Sequence, residues 1–159
     1  MTGGRGVDVF GKRLFYTASI GCVAITLAAC GSAPTPNAPD PQALDRLREA
    51  INSGDPQQVA DCFTPDFRSD LPHHPERSFT GTDQVVRNWT AMYAMAPDLS
   101  ARILRTAIHD DELWSEWEMT GTQTSGVPVT FIGPVIATTR DGLISSVRFY
   151  LDRVDQPAG

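Results

Sequence analysis

Lysine is almost missing from this sequence: Lys12 is the only one among 159 residues, and every other basic side chain is arginine. Cysteine is scarce too, with three in all, which excludes a disulfide framework. Basic residues are outnumbered, 13 to 19, for a net charge of -6; that balance argues against a nucleic-acid partner. No apolar run reaches the roughly 20 residues needed to span a bilayer as a helix. What is present, 41% hydrophobic residues, is too apolar for a disordered chain. The length suits one ordinary domain with attachments.

The first attachment is at the front. Arg5, Lys12 and Arg13 make a basic start, and an apolar run from Leu14 to Ala29 follows, diluted by Thr17, Ser19 and Thr26. This order reads as an export leader over residues 1–29. The run ends Leu27-Ala28-Ala29-Cys30, which resembles the lipobox of bacterial prolipoproteins. The resemblance implies cleavage before Cys30 and acylation of its thiol, so that Cys30 anchors the protein to the outer side of a cell membrane. Multiple acyl chains on one residue hold firmly, since each buried CH₂ contributes ~0.8 kcal/mol.

Loss of the leader would remove Arg5, Asp8, Lys12 and Arg13, taking the balance from 13 basic and 19 acidic residues to 10 and 18. No lysine remains for a Schiff base or a phosphate loop. Cys22 goes as well, leaving Cys62 without an intrachain partner. Residues 30–41, with prolines at 34, 36, 39 and 41, read as a semi-extended tether. The folded unit is expected over residues 42–155, with 156–159 as a tail.

Within that unit the pattern is helical first. Asp40-Pro41 is a helix start, Leu44, Leu47 and Ile51 repeat at helical spacing, and Gly54 closes the element. Asp55-Pro56 repeats the start signal for a second helix carrying Val59, Ala60 and Phe63 inward as far as Thr64-Pro65. Cys62, on or beside that apolar face, reads as a small buried hydrophobe. The stretch from Asp66 to Phe79 is expected to be irregular. A third helix begins at Thr82-Asp83, presents Val85, Val86, Trp89, Met92 and Tyr93, and must end before Pro97.

Beyond Pro97 the period becomes two. Strands are predicted over Ser100–His109, Leu113–Thr120, Pro128–Thr139 and Leu143–Asp152, with turns at Asp110-Asp111 and Asp141-Gly142. Trp117, Met119, Val147, Phe149 and Leu151 share apolar faces, whereas Glu116, Glu118, Arg148 and Asp152 point the other way. The fold class is therefore α+β: three N-terminal helices packed on a curved antiparallel sheet, forming a cone.

Several strings in this order carry a resemblance: Gly54-Asp55, Phe63-Thr64-Pro65-Asp66, Thr80-Gly81-Thr82-Asp83, Ala96-Pro97-Asp98-Leu99, Arg140-Asp141-Gly142-Leu143-Ile144 and Phe149-Tyr150-Leu151-Asp152. Together they resemble the nuclear transport factor 2-like, or SnoaL-like, superfamily, whose members include ketosteroid isomerase, limonene epoxide hydrolase and polyketide cyclases. The resemblance implies the same cystatin-like cone with a ligand at its mouth. Carried over residue by residue, the hydrolase's Arg and two Asp fall on Trp117, Met119 and Phe149, all apolar here, so that chemistry is not expected.

Two readings of function follow. One is a binding module whose cone holds a small apolar ligand against Trp89, Tyr93, Trp117, Met119 and Phe149, or whose sheet meets a partner. The other is an isomerase, cyclase or hydrolase using Asp70 with His73 or His74 as an acid-base pair. The apolar hydrolase positions favour binding without catalysis. Two adjacent histidines diverge and lack a third ligand, so no metal is expected, and no motif calls for a cofactor. Trp114, on the outer face among Glu116, Glu118 and Arg148, is a candidate homodimer contact. For the anchor, Cys30→Ala is expected to shift the protein from the membrane fraction to the soluble fraction; an unchanged distribution would rule the lipid out.

Overall fold

A computed structural model describes residues 38–154. The leader, Cys30, most of the tether and the tail lie outside the described residues. No helix among those described is long and apolar enough to cross a membrane.

The helices start where the sequence places them. In α1 (Gln42–Ser53) the Asp40 carboxylate accepts the Gln42 N–H at 3.0 Å, and Gly54 closes the helix at φ 74°. Asp40 also donates its N–H to Thr139 Oγ1 at 3.0 Å, tying the domain's first residues to the sheet. In α2 (Pro56–Ala60) Asp55 caps the Gln57 N–H at 2.9 Å. Helix α3 (Thr82–Met95) ends two residues before Pro97.

The second helix is shorter than expected, and the segment after it is not irregular. Phe63 begins a strand, β1 (Phe63–Asp70), followed by a 3-10 turn (Pro75–Arg77) and a two-residue strand, β2 (Phe79–Thr80). Pro65 hid this strand, because proline cannot donate to a ladder. The structure accommodates it where the register of β1 against its neighbour shifts, between Phe63 and Arg68. Four strands complete the meander: β3 (Ser100–His109), β4 (Glu112–Thr122), β5 (Pro128–Arg140) and β6 (Leu143–Phe149). The expected last strand is divided, since residues 152–153 form a separate β7 (Asp152–Arg153).

The sheet runs in the order β2-β1-β6-β5-β4-β3, with β7 also on β5. It is mixed rather than antiparallel throughout, for β1 pairs with β6 in parallel. The three helices pack against this curved sheet, and its inner face forms the core: Phe67, Leu113, Trp117, Ile144 and Val147 are all buried. Outward, Arg102 pairs with Glu118, Arg105 with Glu116 and Arg148 with Glu112. Trp114, 40% exposed, stands among them.

β6 and β7 lie along one edge of β5 in a single register, with residues 150 and 151 between them. Until Val135 β5 pairs with β6, and from Ile132 back to Phe131 it pairs with β7. Between the two lies Gly133-Pro134, where the Tyr150 N–H donates to the Pro134 carbonyl at 3.0 Å. Gly133 has φ 155°, and a Cβ there would collide with the Tyr150 carbonyl oxygen and lie 3.1 Å from Leu151 Cα. The C-terminal chain lies this close to β5 only because this position has no side chain. Gly133→Ala is expected to lower the unfolding free energy by about 3 kcal/mol, read from the shift in urea midpoint. An unchanged midpoint would show that the backbone relaxes freely.

Candidate functional site

Helix α3 leans over the sheet without closing on it. Of its apolar residues only Val85 is fully buried, while Trp89, Met92 and Met95 stay partly open. Beneath them lies a cavity of about 690 Å³. Its walls come from Phe63, Phe67 and Ser69 of β1, Phe79 of β2, Val85, Trp89 and Met92 of α3, and Phe149 of β6. The aromatic side is continuous: the Phe63 and Phe67 ring centres are 4.2 Å apart, and Phe79 meets Phe67 edge-on at 6.0 Å. Deeper in, a void of about 40 Å³ is bounded by Leu47, Ile51, Trp117, Met119, Val135 and Leu151. Phe63, Trp89 and Phe149 border both spaces.

Polar groups lie toward the opening. Glu76 and Arg77, the ionisable side chains of the cavity lining, are both exposed. Ser78 accepts the Leu71 N–H at 3.0 Å, and Gln84 donates to Asn88 at 2.8 Å. This is a concave, mainly apolar space of a size suited to a small organic ligand.

A SnoaL-like domain profile matches residues 44–147, well over half of the chain. The chain belongs to the SnoaL-like family. Solved structures agree on the fold. A Catenulispora acidiphila protein with a ketosteroid isomerase-like fold, in complex with trimethylamine, matches at TM-score 0.62 and 19% identity, covering 69% of this chain and 85% of that one. A putative polyketide cyclase from Sinorhizobium meliloti matches at TM-score 0.56 and 20% identity, covering 71% and 95%. A Mycobacterium tuberculosis protein in complex with estradiol-17beta-hemisuccinate matches at TM-score 0.59 and 15% identity, covering 69% and 90%. No curated protein matches the sequence.

In this SnoaL-like domain, four of the five expected ligand contacts line the two spaces: Trp89 and Phe149 border both, and Trp117 and Met119 border the inner void. Trp117 is held there by its own polar atom, which donates to Ser115 Oγ at 2.8 Å; Ser115 in turn donates to the Val135 carbonyl. Tyr93 is elsewhere. It packs against Trp89, and its hydroxyl donates to the Ile51 carbonyl at 2.8 Å, fastening α3 to α1. Burial, with a smaller contribution from Asp55, pushes that hydroxyl up to about 12, so it remains a donor at physiological pH. Cys62 is half-buried with its thiol toward the Gln58 carbonyl, and burial raises it above the usual thiol range.

The acid-base trio is not assembled. Alternation along β1 turns Phe67 and Ser69 inward, so Asp70 is exposed, opposite Arg148 in the ladder and outside the cavity lining. His73 instead meets Asp152, with Nδ1 2.7 Å from Oδ2; His74 Nε2 lies 3.6 Å from the same carboxylate. Neither histidine lines the cavity. No three potential metal ligands converge among the described residues. Sequence reasoning passed over Ser69, Phe67 and Phe79, although Phe67-x-Ser69-x-Leu71 does carry a strand alternation.

The Asp152 contacts clasp the loop at the cavity mouth to β7. The hydrogen bond from His73 holds the Asp152 carboxyl below the usual carboxylate range. A carboxylate favoured by folding stabilises above its ordinary range and ceases to do so as pH falls through the lowered value. In Asp152→Asn the amides of His74, Arg77 and Ser78 are expected to lose hydrogen-exchange protection at neutral pH, with the core unchanged, and the difference should vanish below the carboxylate range. Equal protection at neutral pH would show that the clasp holds nothing.

Proposed function

We propose that this SnoaL-like domain binds a small, largely apolar molecule in its cavity without transforming it, and that an acylated Cys30 holds it on the extracytoplasmic side of a cell membrane. The observation that carries the binding reading is the cavity itself. About 690 Å³ of space is walled by Phe63, Phe67, Phe79, Trp89 and Phe149, and its ionisable side chains, Glu76 and Arg77, stand at the exposed rim. General acid-base catalysis needs a titratable group within hydrogen-bond reach of the reacting atoms. Asp70, His73 and His74 offer none there, since Asp70 faces outward and the histidines are turned to Asp152. Two structural neighbours solved with trimethylamine and with estradiol-17beta-hemisuccinate support the capacity of this fold to hold small organic molecules.

Pairing of two copies through the outer sheet face belongs to the same proposal. Trp114 and the Arg105–Glu116 pair edge a shallow hollow on that face, a mixture of apolar area and charge that suits a second copy.

Native mass spectrometry of the full chain, released from lipid-containing membranes, tests both parts. A discrete added mass that departs on mild activation is expected, reduced in Trp89→Ala, with the subunit count giving the assembly. A bare chain that instead turns over a ketone or polyketide substrate would replace binding by catalysis.

A further inference from the structure

Between β1 and β2 the chain makes an excursion over residues 71–78 in which no residue is buried. Its backbone hydrogen bonds close on the excursion itself. The His74 N–H donates to the Leu71 carbonyl at 2.8 Å, the Arg77 N–H to the His74 carbonyl at 2.9 Å, and the Leu71 N–H to Ser78 Oγ at 3.0 Å. Pro72 and Pro75 stiffen it from within. A segment so lightly packed opens at a smaller free-energy cost than the sheet beside it.

Four of its residues, Leu71, Glu76, Arg77 and Ser78, nevertheless line the cavity. The excursion is thus a flap at the mouth. Among the described residues, its side chains are tied to another element by one carboxylate, Asp152 on β7. His73 Nδ1 lies 2.7 Å from Asp152 Oδ2, and His74 Nε2 lies 3.6 Å from Oδ1.

Imidazole is the side chain that gains or loses a proton between pH 5 and 8. With both rings neutral, His73 keeps a hydrogen bond to Asp152, while His74 is too distant to make one. With both protonated, the His73 bond becomes charge-assisted. His74 then adds attraction to Asp152 and, at 3.9 Å, to Glu76. Tyr150 is the remaining titratable group in contact, its ring edge-on to His73 with centres 5.6 Å apart. Arg77 and Arg153, next to the pair in sequence, oppose protonation, but both are exposed to the screening of water, whereas the two carboxylates act at contact distance. The fastening is therefore strongest in mild acid, weakens as pH rises through the imidazole range, and is lost at the other end when Asp152 is neutralised.

We infer that residues 71–78 are a pH-sensitive flap over the cavity: in mild acid His73 and His74 fasten it to Asp152 and close the mouth, and near pH 8 it swings free and lets the contents exchange. The inference rests on the binding reading for what the flap guards; the fastening is tested without a ligand.

The test is acrylamide quenching of Trp89 in the full chain. Trp114→Phe serves as the common background, so that the indoles left are Trp89 in the cavity wall and the buried Trp117. The quenching constant is expected to be about three-fold lower at pH 6 than at pH 8, the size of effect that half-exposed ion pairs supply. The double variant His73→Gln/His74→Gln, and separately Asp152→Asn, should quench at the pH 8 level at both pH values. His74→Lys, whose charge persists across this range, should bring the pH 8 constant down toward the pH 6 one. A constant that does not change with pH in the background protein, or that changes equally in the double variant, would overturn the flap and leave the cavity reading intact. Failure to retain any ligand in native mass spectrometry would overturn the cavity reading, while the quenching series would still decide the fastening.

Discussion

The structure turns on a backbone approach with no room for a side chain. Where the Tyr150 carbonyl lies against Gly133, the C-terminal chain passes from β6 to β7 along one edge of β5 without a change of register. Each residue beside this approach has a task. Phe149 faces the cavity, Leu151 closes the inner void, and Asp152 reaches the loop at the mouth. Along this one ladder Phe149 and Leu151 point inward and Asp152 outward, in simple alternation. That alternation separates them into wall, floor and clasp.

A second constraint comes from the helices. Tyr93 is fastened to the Ile51 carbonyl, so the C-terminal half of α3 is pinned to α1. The residues one and two turns earlier, Trp89 and Val85, are thereby suspended over the sheet at a distance that their side chains only partly fill. The cavity lies between the pinned helix and the C-terminal strand held close to β5, with aromatic surface between them. Its inner limit is equally specified, since the Trp117–Ser115–Val135 hydrogen-bond chain fixes the indole that borders the inner void.

Much of the fold was legible because its signals are local. Proline-capped helix starts, Gly54, the turns at Asp110 and Asp141, and the period-two runs of β3 to β6 all act within a few residues. The alternation that puts Trp117, Met119 and Val147 inside survived intact. What failed were the features that depend on distant partners. β1 looked irregular because Pro65 and a register shift interrupt it, and that error carried into the site: without strand parity, Asp70 looked as eligible for the cavity as Ser69. The His73–Asp152 contact joins residues 79 apart, and no local pattern announces it.

The parallel pairing of β1 with β6 also orders events in time. β6 is the central partner of both β1 and β5, yet it is nearly the last element to be synthesised, and its contacts with β1 join positions roughly eighty residues apart. Contacts so far apart in sequence are slow to close, because the intervening chain must first give up its freedom. Until residues 143–149 arrive, β1 and β2 have no strand to join them to the β3–β5 meander. A nascent chain of this design leaves β1 and β2 unjoined to the rest of the sheet until its C-terminal strand is available.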